Sequence, residues 1–234
     1  MFTVTPAIDV AGGRVVRLYQ GSPAAMTVYN QDPVAQAAYF VDAGAPALHV
    51  VDLDGAFGHP GLSAESVRDI VALGAPVELG GGIRTLAAVA RWLDFGVSRV
   101  LVGSAVQDRT LLAAMAREAG PGRLAVSLDI RSERLAVQGW RVTSGLDASQ
   151  VAESLRDVGL NQLVVTAVER DGTELGPDLA LVQAWVSAGF RVTGAGGVRH
   201  VHDLRALKAV HAEGAVVGRA FYEGRLTMRE ALVC

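Results

Sequence analysis

Short apolar runs and amphipathic stretches alternate along this chain almost from end to end. Residues 4–8, 47–51, 77–79, 100–102, 124–128, 163–166, 191–193 and 215–217 are apolar without a polar alternation. Such runs mark parallel strands covered on both faces. Between them, apolar positions recur at helical spacing over 34–43, 64–73, 86–95, 110–119, 148–157, 179–187 and 204–210, with a short stretch over 227–232. Gly44, Gly74, Gly96 and Gly159 follow four of these stretches as helix stops. Eight strand–helix units predict a (β/α)8 barrel; a five-strand doubly wound sheet would leave much of the chain unused.

The pattern also repeats. Ile8-Asp9-Val10 returns as Leu128-Asp129-Ile130, 120 residues on. Gly81-Gly82-Ile83-Arg84 returns as Gly196-Gly197-Val198-Arg199, and Val102-Gly103-Ser104-Ala105 as Val217-Gly218-Arg219-Ala220, each 115 residues on. The expected architecture is one domain over 1–234 made of two duplicated half-barrels, about 1–120 and 121–234. A barrel carries its chemistry at the C-terminal ends of its strands, which is where the repeated motifs fall.

Composition narrows the classes. Half of the 234 residues are hydrophobic and 19% are charged, which excludes disorder by composition. The net charge of −3 argues against nucleic acid as a partner. The N-terminal stretch lacks a basic region, and no apolar run reaches membrane-spanning length. The single cysteine, Cys234, can form neither an internal disulfide nor a Cys-based zinc site, and the five histidines show no metal spacing. We expect a cytoplasmic protein that binds a small molecule, without membrane or nucleic acid, as a monomer.

Asp9 and Asp129 end the first and fifth strands, on opposite sides of the mouth. One carboxylate can accept a proton while the other donates one; an isolated aspartate would more simply cap a turn, but the repeat matches the two positions and favours catalysis. Asp171, in the segment after the sixth strand, is a third candidate acid, and Thr166 ends that strand. Gly81, Gly82, Gly103 and Ser104 in the first half face Gly196, Gly197, Gly218 and Arg219 in the second. Glycine lets backbone N–H groups approach an anion, so two phosphate cradles across one mouth are expected. Arg17 and Arg84 can pair with phosphate or carboxylate. Trp140, in an insertion expected to form a hairpin, can stack on a heterocycle or anchor a core. His49 reads as an inner-barrel residue with its polar atoms satisfied.

These residues resemble a known family. Pro6-Ala-Ile-Asp9, Val15-Val-Arg-Leu18, His49-Val-Val-Asp-Leu-Asp-Gly-Ala56, Gly80-Gly-Gly-Ile-Arg84, Val102-Gly-Ser104, Gly139-Trp140, Arg170-Asp-Gly-Thr173 and Val217-Gly-Arg-Ala220 are similar to motifs of the ProFAR isomerases of histidine biosynthesis. The resemblance runs the length of the chain. It implies a half-barrel duplication, a substrate with two phosphates, and an Amadori rearrangement of an aminoaldose to an aminoketose without cofactor or metal. It implies Asp9 as the base, Asp129 or Asp171 as the acid, Thr166 beside the reacting ribose, and Arg84, Trp140 and Gly176 among the ligand-binding residues. Ala167, Ala195 and Ser22-Pro23 depart from the family pattern. The related alternatives are an isomerase that also accepts phosphoribosyl anthranilate, and the cyclase subunit of imidazole glycerol phosphate synthase. A non-catalytic sugar-phosphate-binding barrel is the alternative from another class; both aspartates argue against it.

Overall fold

The computed structural model describes residues 2–19, 22–131, 134–137, 142–143, 146–173 and 175–234, with backbone alone at 22, 23, 137, 142 and 143. The first strand, β1 (Thr3–Ala11), runs on into an antiparallel hairpin of β2 (Arg14–Tyr19) and β3 (Ser22–Asn30). The first half continues with α1 (Pro33–Asp42), β4 (Leu48–Asp52), α2 (Leu53–Ala56), α3 (Ala64–Val71), β5 (Val77–Gly80), α4 (Leu86–Asp94), β6 (Arg99–Val102), a 3-10 turn (Ser104–Gln107) and α5 (Arg109–Ala119). The second half holds β7 (Leu124–Arg131), a hairpin of β8 (Arg134–Val137) and β9 (Val142–Thr143), α6 (Ala148–Val158), β10 (Gln162–Ala167), α7 (Leu179–Ser187), β11 (Arg191–Ala195), α8 (Val201–Ala209), β12 (Gly214–Val217), α9 (Arg219–Tyr222) and α10 (Met228–Leu232).

Strands β1, β4, β5, β6, β7, β10, β11 and β12 are all parallel, and β12 pairs back to β1, so the sheet closes into an eight-stranded barrel. All eight expected strands are present. Outward-facing residues such as Ile8, Val50, Leu79, Val100, Leu128, Val165, Val192 and Val217 pack against the helix ring in one large core. A smaller cluster, Ala7, Leu101, Ala125, Val164 and Val216, fills the barrel's interior. Most barrel strands are therefore apolar on both faces, which is why they read as unbroken runs, while β4 and β5 carry His49 and Glu78 as a paired polar exception.

Helix ends follow local chemistry. Asp32 accepts from Val34 N and Ala35 N at the start of α1, and Asp108, Asp147 and Asp178 cap α5, α6 and α7 in the same way. Gly44, Gly74, Gly96 and Gly159 have positive φ at the helix stops.

The hairpin strands β2 and β3 and the short helices α2 and α9 are absent from the pattern-based expectation. Strands β2 and β3 extend one end of β1; β2 buries Val15 in the large core and Val16 and Leu18 on its other face, while Met26 and Val28 of β3 are exposed. A hairpin after the fifth barrel strand was expected, and β8 and β9 form it; Trp140 lies outside the described residues. Among the described residues no helix is long and apolar enough to cross a membrane.

Candidate active site

One cavity of about 240 Å³ opens at the C-terminal ends of the barrel strands. Asp9, Asp129, Thr166 and Asp171 all line it, as do Arg17, Gly81, Gly82, Arg84, Gly103, Ser104, Gly196, Gly197, Gly218 and Arg219. The closed barrel thus brings residues more than 200 positions apart in sequence to one mouth. Gly176 does not line it; it sits behind Gly197 and beside the Arg199 guanidinium.

The carboxylates are set by strand alternation. Ala7 and Asp9 face inward from β1, and Ser127 and Asp129 from β7. Asp129 stands opposite Thr166 in the β7–β10 register, and Ser127 Oγ lies 3.5 Å from Asp129 Oδ1. Asp171 enters from the loop after β10, whose turn is held by Asp171 N donating to Ala167 O at 3.0 Å.

Arg17, delivered by β2, joins two of these acids. Its Nη1 donates to Asp9 Oδ2 at 2.9 Å, and its Nη2 is 3.6 Å from Asp171 Oδ1. All three side chains are 13–15% exposed. Burial pushes the Asp9 carboxyl above its usual value, against the opposing pull of Arg17 and His49. Burial also lifts Asp171, to about 6; Arg17 opposes this, while the negative charges of Asp9 and Asp129 add to it. Burial thus raises both Asp9 and Asp171, so each holds a proton more readily than an exposed carboxylate does.

The glycine loops have a packing role beyond any approach of an anion. Gly81 and Gly82 have positive φ and press on the loop after β4; a Cβ on either would overlap the carbonyl oxygen of Asp52 or Gly55. Gly196 and Gly197 press in the same way on Ala167 and Gly176, in the loop after β10. Arg84 donates to Gly55 O and Ala56 O, at 3.3 and 2.9 Å, closing the end of α2. Its repeat counterpart Arg199 instead pairs with Asp203 at 3.1 Å. Arg219 reaches across to Gly172 O at 2.5 Å and pairs with Glu223.

Residues 3–227 match the family model described as histidine biosynthesis protein. The chain belongs to the histidine biosynthesis protein family. A relative from Dinoroseobacter shibae is 44% identical over 232 residues, covering 97% of this chain and 96% of that one. One from Acidiphilium cryptum is 42% identical over 237 residues, 98% and 96% of the two chains. One from Roseiflexus sp. is 43% identical over 233 residues, 98% of each. All three are named 1-(5-phosphoribosyl)-5-((5-phosphoribosylamino)methylideneamino)imidazole-4-carboxamide isomerase.

Within this family member, two site features escaped the sequence reading. Ser127 lies two residues before Asp129 on the same inward face, and period-two alternation was the available signal. His49 was read as an inner-barrel residue, and its Nδ1 indeed pairs with Glu78 Oε1 at 2.7 Å; its place on the cavity wall was not foreseen. Among the departures from the family pattern, Ala195 lines the cavity, whereas the Ala167 side chain is buried away from it.

Proposed function

We propose that this chain catalyses the Amadori rearrangement of ProFAR, a bisphosphorylated aminoaldose, to the corresponding aminoketose in histidine biosynthesis. The observation that carries the reading is the pair Asp9 and Asp171, on either side of Arg17 in one cavity, within a chain 42–44% identical over nearly its full length to relatives named for this isomerase. Asp171 protonates the ribose ring oxygen. The C1–O bond then breaks, and the amine nitrogen's lone pair forms the Schiff base. Asp9 takes the C2 proton, and the C–H electrons become the C1–C2 double bond of an enolamine. Return of a proton to C1 and loss of the C2 hydroxyl proton yield the ketone, so no atom is gained or lost. Asp129 adds negative charge beside Asp171 and helps it hold its proton.

The loops around Gly81, Gly82, Gly103 and Ser104, and around Gly196, Gly197 and Gly218, seat one phosphate each, with Arg84 and Arg219 at the respective rims. Thr166 meets the reacting ribose. Gly176 packs behind Gly197 at the edge of the second cradle. The reading includes one domain of two half-barrels, no cofactor or metal, a monomer, and a cytoplasmic location. Its test is turnover by the purified chain on ProFAR, beside phosphoribosyl anthranilate and an Asp9→Asn control. Turnover of ProFAR lost in the control is the expected result. Turnover of phosphoribosyl anthranilate as well would widen the specificity, and turnover of neither would overturn the proposal.

A further inference from the structure

Beneath Asp9 the first half of the barrel carries a polar row that the second half lacks. His49 stands opposite Glu78 in the β4–β5 register, and Glu78 opposite Arg99 in the β5–β6 register. His49 Nδ1 meets Glu78 Oε1 at 2.7 Å, and Arg99 Nη1 lies 3.6 Å from Glu78 Oε2. With Asp9 and Asp129 as equivalent points, the strand registers place Val164 where His49 stands, Thr193 where Glu78 stands, and Gly214 where Arg99 stands. Filling a barrel of this shape therefore needs no ionisable residue at these places. A buried carboxylate and imidazole carry a desolvation cost that Val164 and Thr193 avoid.

The geometry gives the row a direction. Glu78 lies off the cavity wall and His49 lies on it. Nε2 of His49 makes no hydrogen bond to any described residue, and it is not an enclosed, partnerless atom. It opens on the cavity. A carboxylate on Nδ1 holds the proton of neutral imidazole there and leaves the Nε2 lone pair facing outward. Burial disfavours the Glu78 charge, but the hydrogen bond from His49, with Arg99 behind it, outweighs it and holds Glu78 below the usual carboxylate range. The groups facing this imidazole are thus Glu78 from β5, Arg99 behind it on β6, and Asp9 on β1 with its partner Arg17.

We propose that His49 is a second proton acceptor of the same reaction, taking the proton of the C2 hydroxyl through Nε2 while Glu78 serves as its positioning residue. The inference rests on the isomerase reading above. Asp9 removes the hydrogen on C2 and returns a proton to C1. As C1 is protonated, the O–H bond at C2 breaks, its electrons form the C2=O bond, and the hydroxyl proton passes to Nε2. His49 then loses that proton to water, and Asp171, which gave one to the ring oxygen, regains one from water. The sum over the cycle is zero.

The test compares His49→Asn and Glu78→Gln with wild type and Asp9→Asn on ProFAR, with folding checked by thermal melting. His49→Asn is expected to lower kcat about 100-fold or more with KM changed less than about threefold. Glu78→Gln keeps the shape but can donate to Nδ1, moving the imidazole proton to Nε2; a loss of about tenfold or more in kcat is expected. In histidine-ring nitrogen spectra, the product aminoketose is expected to shift the His49 Nε2 signal while Nδ1 keeps its proton. Should His49→Asn fail to fold, Glu78→Gln and the spectra decide. A kcat within threefold of wild type in the folded variants, a change in KM alone, or an Nε2 signal indifferent to product overturns the inference and leaves the isomerase reading intact. A wild-type chain inactive on ProFAR overturns both.

Discussion

The loops after β5 and β11 are built alike, and the strands beneath them are not. In both halves a pair of glycines with positive φ packs on the carbonyls of the preceding loop, Gly81 and Gly82 on Asp52 and Gly55, Gly196 and Gly197 on Ala167 and Gly176. In both halves the leading strand ends in an inward aspartate and carries an antiparallel hairpin. The charge is distributed differently. Asp9 has Arg17 at 2.9 Å, delivered by its hairpin; the residue at the matching hairpin position of the second half is Val137. Below Asp9 lie His49, Glu78 and Arg99, and below Asp129 lie Val164, Thr193 and Gly214. The second half supplies Asp171 instead, from a loop. A backbone plan can be kept through a repeat while the charges of the two halves diverge, because loop packing is decided by glycine and carbonyl sterics and proton affinity by local charge and burial.

The largest expected effect separates the two equivalent aspartates. Asp9→Asn is expected to lower kcat roughly 100- to 10,000-fold, as for loss of a general base, whereas Asp129→Asn is expected to cost about tenfold or less. Steady-state kinetics on ProFAR decide it; equal losses would mean that the halves share the chemistry evenly.

Next come the shared glycines. Gly82→Ala and Gly197→Ala each force a Cβ into a backbone carbonyl at positive φ, and each is expected to cost about 3 kcal/mol or more of unfolding free energy. Denaturant titration of both should give similar losses. A loss in one only would show that the loops are alike in outline and not in packing.

Asp171 gives a pH-dependent effect of similar size. Its carboxyl is raised from 3.8 to about 6 in the fold, so its stabilising contribution is complete below 3.8 and is lost as pH rises through about 6. Asp171→Asn is therefore expected to be more stable than wild type by about 3 kcal/mol at about pH 8 and equal to it below about pH 4. A constant difference between the two across that range would place the strain elsewhere. The same coupling makes Asp129→Asn move the alkaline limb of kcat/KM to lower pH, since removing a neighbouring negative charge lets Asp171 ionise more easily.

The smallest effect lies at two matching helix ends. Helix α4 stops at Gly96 and α8 at His211, both with positive φ and both with the following amide bonded back to the helix. His211→Gly is expected to raise stability by about 0.5–1 kcal/mol, measured by thermal melting. No change would show that His211 carries its backbone conformation without cost.

The residues themselves account for which parts were legible in advance. The strands at 100–102 and 215–217 and the helices between strands were readable because each is apolar for a local reason: burial on both faces, or on one helical face. Strands β2 and β3 were not, since Met26 and Val28 are exposed and the hairpin's stability comes from pairing with β1. The repeat exposed Asp9, Asp129 and the glycine loops together. Gly176, grouped with the ligand-binding residues, lies behind Gly197, with its carbonyl oxygen against that glycine.

The sequence by itself determined the eight strand–helix units, the duplication of their motifs and the aspartates at the strand ends, because periodicity and spacing are properties of the chain alone. Only the tertiary structure decided that Arg17 joins Asp9 to Asp171, that Asp171 holds its proton to about pH 6, and that His49 rests on Glu78 with its other nitrogen toward the cavity. Those outcomes depend on distances of a few ångströms between strands and loops far apart in sequence, and on the water their closure removes.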